Sequence, residues 1–231
     1  MKKKKRPQSN GMMYWMTGLL VFLGLISWFF YTISHPASPK LPTPLSEASK
    51  EILKIQSDDH VRGGSGWRAV LVEYLDFECE ACAAYSPLVK QLKDEFKNDI
   101  TVVTRYFPLA GHKNSMTAAT SVEAAGRQGK FFEMQDKLFA EQKKWWEKAD
   151  PDMSIFVAYA AELGLDMERF TKDVKDPAIA ERIKRDLASG TALRVNATPS
   201  FFLNGIQISG IRSYQDFSDQ VRTEISKTPN P

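Results

Sequence analysis

The most constraining feature of this chain is its single pair of cysteines, which lies where a predicted strand ends and a predicted helix begins. The run before the pair, Ala69 to Leu75, is almost continuously apolar, as expected of a strand buried on both faces. From Cys79 to Phe96 apolar residues recur at helical spacing, and Ile100 to Phe107 has the pattern of a second strand. A strand–helix–strand unit implies two parallel strands joined by a right-handed crossover. The sequence therefore predicts an α/β fold centred on the cysteine pair.

The remainder of the pattern predicts a helical block inserted into a small mixed sheet. A long helical stretch runs from Ser115 to about Gly190, with breaks suggested at 126–129, 150–151, 164 and 176–177. Two short strands, 200–203 and 206–209, flank Asn204-Gly205, which is a strong hairpin signal. Ser213 is the predicted cap of a last helix over 214–225, and the segment 46–55 fits either a short helix or an initial strand.

The N-terminus has the charge and hydropathy pattern of a membrane anchor. Residues 11–33 carry no charge and would span roughly 33 Å as a helix, enough for a hydrocarbon core of about 30 Å. The basic cluster Lys2 to Arg6 precedes this stretch and should stay in the cytoplasm, so the rest of the chain is expected outside. The remainder has 26 basic against 28 acidic residues, which gives no reason to expect nucleic-acid binding.

A cleaved signal peptide is the alternative for this segment. Its apolar core would be shorter, about 7–15 residues, and His35 and Pro36 interrupt the best small-residue cleavage site. The prolines that follow the apolar stretch favour an extended, semi-rigid stalk. They are Pro36, Pro39, Pro42 and Pro44.

The spacing of Cys79 and Cys82 favours redox chemistry. Residues three apart on a helix are neighbours, so a small adjustment brings the two sulfurs into bonding range. The helix N-terminus favours a thiolate on Cys79, the attacking species in disulfide exchange, while Cys82 would be the buried resolving thiol. A zinc site would need histidine partners at a spacing that His35, His60 and His112 do not provide. A structural disulfide would close too small a loop to stabilise the fold. We therefore expect no metal, and no cofactor beyond a redox-active Cys79–Cys82 disulfide.

Three segments, taken in their order along the chain, resemble segments of DsbA-like thioredoxin-fold proteins. The resemblance covers roughly residues 66–226. Glu73 to Cys82 (EYLDFECEAC) is similar to the active-site segment of that family, and Leu193 to Gly205 (LRVNATPSFFLNG) to its cis-proline segment. His112 to Phe139 resembles the start of its inserted helical domain. The resemblance implies a thioredoxin-like fold with an inserted helical domain, here preceded by one N-terminal transmembrane helix. The expected parts are a cytoplasmic basic tail (1–10), a transmembrane anchor (11–34), a Pro-rich stalk (35–49), the first part of the thioredoxin-like domain (50–114), the inserted helical domain (115–190) and the second part of the thioredoxin-like domain (191–231).

The resemblance also assigns roles to residues around the dithiol. It implies that the Thr198–Pro199 bond is cis, faces the dithiol and lets the Thr198 backbone pair with an extended substrate. An ordinary trans-proline at the start of a strand is the alternative. Glu73 interrupts the apolar strand, so burial should raise its pKa, and it would shuttle a proton for Cys82. The alternative for Glu73 is a side chain that reaches solvent at the strand edge.

The function implied is the formation or exchange of disulfides in exported proteins that contain cysteines. The enzyme would sit in a bacterial inner or cell membrane as a single-pass protein with its catalytic domain in the periplasm or at the cell surface. Its redox partner would be a DsbB-like quinone reductase or a membrane electron donor. A membrane-tethered reductase or isomerase is the alternative, and a non-catalytic thioredoxin-like binding module is a third.

Two further patterns concern the helical block. The aromatic residues Phe131, Phe132, Trp145 and Trp146 are expected in its core, and the alternating charges from Gln142 to Lys148 on a solvated face. Between the cysteines lie Glu80 and Ala81, where the strongest oxidants of the resembled family carry Pro-His. Acidic neighbours raise a thiol pKa, although the Thr198 hydroxyl would offset part of that effect.

The Glu80→His substitution is therefore predicted to make the disulfide more oxidising, because it replaces a negative neighbour of the thiolate by a donor. Each unit by which the pKa of Cys79 falls raises the reduction potential of the disulfide by about 30 mV for a two-electron couple. Equilibration with glutathione buffers measures the potential, and an unchanged value would contradict the electrostatic argument.

Overall fold

The computed structural model describes residues 22–29, 31, 46–63, 68–146 and 153–228. The chain divides into two compact units, residues 1–41 and 42–231. In the first unit residues 22–29 are helical. Within the described ranges, no helix has both the length and the apolar character that crossing a membrane requires. The basic tail, most of the predicted anchor (11–34) and the prolines of the predicted stalk lie outside the described residues.

The second unit is built on a five-stranded mixed sheet with the strand order β1-β3-β2-β4-β5. The central strands β2 and β3 are parallel, and every other neighbouring pair is antiparallel. Both central strands are almost wholly buried, which confirms the interpretation of their apolar runs. The edge strand β1 was not predicted. The strands are β1 (His60–Gly63), β2 (Ala69–Leu75), β3 (Ile100–Tyr106), β4 (Ser200–Leu203) and β5 (Ile206–Ile208).

The helices of this unit begin and end close to the breaks predicted at 126–129, 164 and 176–177, and several have side-chain caps. The break predicted at 150–151 lies outside the described residues. Ser46 accepts a hydrogen bond from the Ser49 N–H, so the segment after it forms a short helix rather than a strand. Asp176 and Ser213 cap later helices in the same way. The helices are α1 (Glu47–Ile52), α2 (Glu80–Phe96), α3 (Ser115–Gly126), α4 (Phe131–Ala140), α5 (Met153–Glu162), α6 (Met167–Asp173), α7 (Pro177–Ala192) and α8 (Tyr214–Lys227), with a 3-10 turn at Gln142–Lys144.

The apolar core consists of separate clusters on the two faces of the sheet and within the helical insertion. Leu71 and Leu92 belong to the cluster that α2 and α8 cover, and Tyr74 belongs to the cluster on the opposite face. The cluster of the helical insertion contains both cysteines. Among the aromatic residues predicted there, Phe131 and Trp145 are buried, while Phe132 and Trp146 are partly buried and pack against them. The cysteine pair therefore lies where the insertion meets the sheet.

A buried ion pair ties the segment after α1 to the middle of the sheet. The Arg105 guanidinium on β3 bonds Asp59 through two contacts, Nη2–Oδ2 at 2.8 Å and Nε–Oδ1 at 3.2 Å. Their side chains are only 3% and 1% exposed. Arg105 also donates to the carbonyl oxygens of Ile52 and Lys54, at 2.6 and 2.8 Å. The guanidinium is thus the cross-link between this segment and β3.

The Asp59→Ala substitution is predicted to lower the free energy of unfolding by about 3–5 kcal/mol, because it leaves a buried guanidinium without its counter-ion. Urea unfolding of the full chain measures the change. The matched control is Glu47→Ala, which removes the exposed pair with Lys50 and should have no measurable effect. Equal stabilities of the two variants would show that the buried pair is dispensable.

Candidate active site

The cysteine pair is positioned by a four-residue turn between β2 and α2. The turn is closed by a hydrogen bond from the Cys79 N–H to the Asp76 carbonyl at 3.1 Å. Cys79 is the N-cap residue of α2 and has extended backbone angles (φ −71°, ψ 120°). At this position its sulfur lies beside the free N–H groups and the positive dipole end of the first helical turn. Cys82 follows one turn inside the helix.

The two cysteines are free thiols in unequal environments. Cys79 is 9% exposed and Cys82 is fully buried. The Cys79 thiol donates to the Thr198 carbonyl at 3.2 Å, and the Asp76 N–H donates to the Cys82 sulfur at 3.5 Å. The Thr198–Pro199 bond is cis, as the resemblance implied. The structure therefore places the outer thiol against the cis-proline segment and the inner thiol against the start of the turn.

The surroundings push the two thiol pKa values in opposite directions. A hydrogen bond from the Cys82 thiol lowers the pKa of Cys79 to about 5, against the effect of burial. The Thr198 side chain and the N–H groups of Cys82 and Ala81 lower it further. Burial raises the pKa of Cys82 well above the ordinary thiol value, and the bond to Cys79 adds to this. At neutral pH the geometry thus favours a thiolate on Cys79 and a thiol on Cys82.

The Thr198 hydroxyl matches this charge distribution. Its oxygen is buried and has no hydrogen-bond partner within the described part of the chain. A hydroxyl hydrogen turns to suit its partner, so the group is available to a thiolate. This agrees with its effect on the Cys79 pKa.

Glu73 is buried in the central strand β2 rather than reaching solvent at an edge. Burial raises the pKa of Glu73 to about 8, and the charge of Arg62 opposes the rise. Glu73 lines a narrow cavity of about 10 Å³, roughly the space of one water molecule, which Lys90 and Gln135 also line. A charge on Glu73 also raises the pKa of Cys82. Glu73 is therefore a buried acid that is electrostatically coupled to the inner thiol.

The acidic neighbours of Cys79 lie in different surroundings. Glu80 is exposed in the first turn of α2, where a negative charge stabilises the helix. The Glu78 carboxylate turns into the helical insertion and accepts from the Asn114 N–H at 2.6 Å and from its side-chain amide at 3.0 Å. Ala81 contributes through its backbone N–H. The electrostatic argument from sequence therefore depends on Glu80 rather than on Glu78.

The role of Gln142 was not predicted from the charge pattern around it. The solvated face predicted for 142–148 was wrong at this position, although Lys143 and Lys144 are exposed. Gln142 is buried, and its amide donates to the carbonyl oxygens of Phe77 at 2.8 Å and Cys79 at 3.0 Å. The 3-10 turn of the insertion thus satisfies two backbone acceptors of the active-site turn.

Asp76 is a second residue that the sequence did not single out as structural. Its carboxylate is buried and accepts hydrogen bonds from Glu78, Leu109, His112 and Ser115. The last three donors follow β3 or begin α3, more than thirty residues along the chain. An acid directly after a buried strand was the only local signal of this network.

Comparison with known proteins agrees with the fold. A family model described as Thioredoxin matches residues 56–223. A curated relative, the Na(+)/H(+) antiporter NhaA of Herminiimonas arsenicoxydans, is 36% identical over 196 residues, which are 83% of this chain and 29% of the relative. The chain thus spans less than a third of that relative.

Solved structures with the same fold are more distant in sequence. Wolbachia pipientis alpha-DsbA1 is 20% identical, with a TM-score of 0.70, over 78% of this chain and 96% of that chain. BdbD from Bacillus subtilis is 17% identical, with a TM-score of 0.66, over 82% of this chain and 100% of that chain. At these identities the likeness shows the fold.

The Cys82→Ala substitution is predicted to raise the pKa of Cys79 from about 5 towards the ordinary thiol value, because it removes the first hydrogen-bond donor to the thiolate. The rate of Cys79 alkylation by iodoacetamide, followed across pH, gives the midpoint. In the matched Cys79→Ala variant the buried Cys82 should resist alkylation.

The same shift has a consequence for the stability of the reduced protein. Because the pKa of Cys79 is lower in the folded than in the unfolded state, the thiolate stabilises the folded protein when the pH lies above the ordinary thiol pKa. This stabilisation is lost as the pH falls through about 5.

An alkylation midpoint that is the same with and without Cys82 would contradict the proposed hydrogen bond.

Proposed function

Because the chain belongs to the thioredoxin family, we propose that it is a thiol–disulfide oxidoreductase of the DsbA-like kind, which forms or exchanges disulfides in exported proteins. The observation that supports this most directly is the inequality of its two thiols. Cys79 is 9% exposed and has a lowered pKa, and Cys82 is fully buried and has a raised one. An attacking thiol and a resolving thiol need these different properties.

In the oxidising direction the cycle starts from the Cys79–Cys82 disulfide. A substrate thiolate attacks the Cys79 sulfur, the Cys79–Cys82 bond breaks, and Cys82 leaves as a thiolate that takes up a proton. A second substrate thiolate then attacks the substrate sulfur of the mixed disulfide, and Cys79 leaves as a thiolate. The substrate loses two electrons and gains a disulfide, while the enzyme becomes the dithiol.

Glu73 is the proposed proton carrier for the inner thiol. Its buried carboxyl has a pKa of about 8, so it carries a proton at neutral pH and can give it to the leaving Cys82 thiolate. The cavity beside it, with room for roughly one water, offers a path by which the proton is replaced.

Thr198 and Pro199 form the proposed substrate contact. The Thr198 carbonyl accepts a hydrogen bond from the Cys79 thiol at 3.2 Å. An extended substrate that pairs with this backbone therefore brings its own sulfur next to Cys79. Glu80 and Ala81 tune the outer thiol, one by its charge and the other by its N–H. No cofactor beyond the redox-active pair is part of this proposal.

The proposed location is a bacterial inner or cell membrane, with one anchoring helix over 11–34 and the catalytic unit outside the cytoplasm. The uncharged stretch and the basic cluster before it support this. A tether would keep the dithiol close to emerging exported proteins and to a membrane redox partner, either DsbB-like or an electron donor. The antiporter named among the relatives has a much longer chain, and its activity is not part of the proposal.

The lowered Cys79 pKa favours the oxidising direction over a reductase. A stabilised thiolate stabilises the reduced form of the enzyme, which makes its disulfide a better electron acceptor. A non-catalytic binding module, the third hypothesis for the function, would have no need of two thiols with such different properties.

The reduction potential of the full chain, equilibrated against glutathione buffers, is predicted to lie near −120 to about −180 mV, the range of disulfide oxidases and isomerases. With a reduced model protein, the wild type in its disulfide form should then release an oxidised product, and Cys82→Ala, which cannot form that disulfide, should not. With a model protein that already contains a disulfide, Cys82→Ala should instead accumulate a mixed disulfide on Cys79. The matched control, Cys79→Ala, should do neither. A potential near about −270 mV would replace the oxidase by a reductase.

A further inference from the structure

The Asp76 carboxylate is held by as many hydrogen-bond donors as a carboxylate readily accepts. Oδ1 accepts from the Glu78 N–H at 2.8 Å and from the Ser115 hydroxyl at 2.5 Å. Oδ2 accepts from the Leu109 N–H at 2.8 Å and from His112 Nδ1 at 2.7 Å. The Asp76 side chain is 0% exposed. A buried carboxylate depends on such donors, because each one replaces a lost bond to water.

The same residue carries a donor for the resolving thiol. The Asp76 N–H points at the Cys82 sulfur at 3.5 Å, and this bond lowers the pKa of Cys82 against the larger effect of burial. The direction of a backbone N–H is fixed by the conformation of its residue. The hydrogen bonds that fix the Asp76 side chain therefore also fix the N–H that faces Cys82.

His112 differs from the other donors to this carboxylate. Glu78 and Leu109 donate from the backbone, and Ser115 from the buried start of α3. The His112 side chain is 31% exposed and comes from the irregular segment between β3 and α3. Its Nδ1 donates to Asp76 whether the ring is neutral or charged, because the carboxylate selects the tautomer with the proton on Nδ1.

We propose that His112 is a positioning residue for the step that re-forms the Cys79–Cys82 disulfide: its ring holds the Asp76 carboxylate so that the Asp76 N–H stabilises the thiolate of Cys82. The proposal rests on the proposed function, since it concerns the attack of the Cys82 thiolate on the Cys79 sulfur of a mixed disulfide, which is the reverse of the first step of the oxidising cycle. Through His112, the segment between β3 and α3 would affect the reactivity of the inner thiol and not that of the outer thiol.

The outer thiol has separate support. The donors that lower the pKa of Cys79 are the Cys82 thiol, the Thr198 side chain and the N–H groups of the first turn of α2. Neither His112 nor the Asp76 carboxylate is among these donors. Loss of the His112 contact should therefore slow attack by Cys82 and leave attack by Cys79 nearly unchanged.

Oxidised glutathione separates the two steps. The Cys79 thiolate attacks its disulfide, which releases one glutathione thiolate and forms a mixed disulfide at a rate proportional to the oxidised glutathione. The Cys82 thiolate then attacks the Cys79 sulfur and releases the second glutathione, at a rate independent of that concentration. Acid quenching of the reduced full chain, followed by intact mass measurement, resolves both rates.

His112→Ala is expected to slow the second step roughly three- to tenfold, which corresponds to about 0.6–1.4 kcal/mol, the usual range of one hydrogen bond. Its first step should stay within about twofold of the wild type. His112→Asn should recover most of the second rate, because the Asn amide nitrogen is attached to Cγ as the His Nδ1 is. The matched control is His60→Ala, which removes an equally short pair at 2.7 Å, made with Glu123 instead. It should leave both rates unchanged.

The outcomes separate this proposal from the proposed function. An unchanged second step in His112→Ala would overturn the proposal, and so would equal slowing of both steps, which indicates a general disturbance of the turn. Failure of Asn to restore the rate would also overturn it, because the contact would then not be the cause. A wild type that forms no mixed disulfide would instead overturn the proposed function.

Discussion

The turn from Asp76 to Cys79 is the constraint on which the rest of the site depends. It must reverse the chain between a buried strand and a helix, and its polar groups are largely cut off from water. The helical insertion and the segment that leads into it supply the missing partners: Gln142 bonds two carbonyl oxygens, Asn114 bonds Glu78, and His112 and Ser115 bond Asp76. The insertion is therefore part of the active site rather than a lid added to it.

The distribution of charge at the site follows from this arrangement. Cys79, Cys82 and Glu73 can each become negative. Several donors converge on Cys79, whereas burial penalises charge on Glu73 and on Cys82, where it outweighs the Asp76 N–H. One negative charge on the outer sulfur, with a proton on each inner group, is the arrangement of lowest free energy at neutral pH. Exchange moves that charge inward to Cys82, and a proton carrier next to it lowers the cost.

Local patterns in the sequence predicted most of the fold. The apolar run of β2, the Asn204-Gly205 hairpin and the Ser213 cap each depend on neighbouring residues, and the structure has all three. Strand β1 was missed because it is four residues long and half-exposed, and its pairing partner is distant in sequence. The parts expected at the N-terminus, and the boundaries of the two domains, remain predictions.

The site itself was only partly predictable, for the same physical reason. The cysteine spacing and the resemblance identified the dithiol and the cis-proline, because these are short motifs. Gln142 and His112 act on the turn across 63 and 36 residues of sequence, and a polar residue in a charged or irregular segment carries no local signal of such a contact. Their convergence has a consequence for regulation. A partner that displaces the segment between β3 and α3 would act on the inner thiol, whereas one that occupies the cis-proline segment would act on the outer thiol.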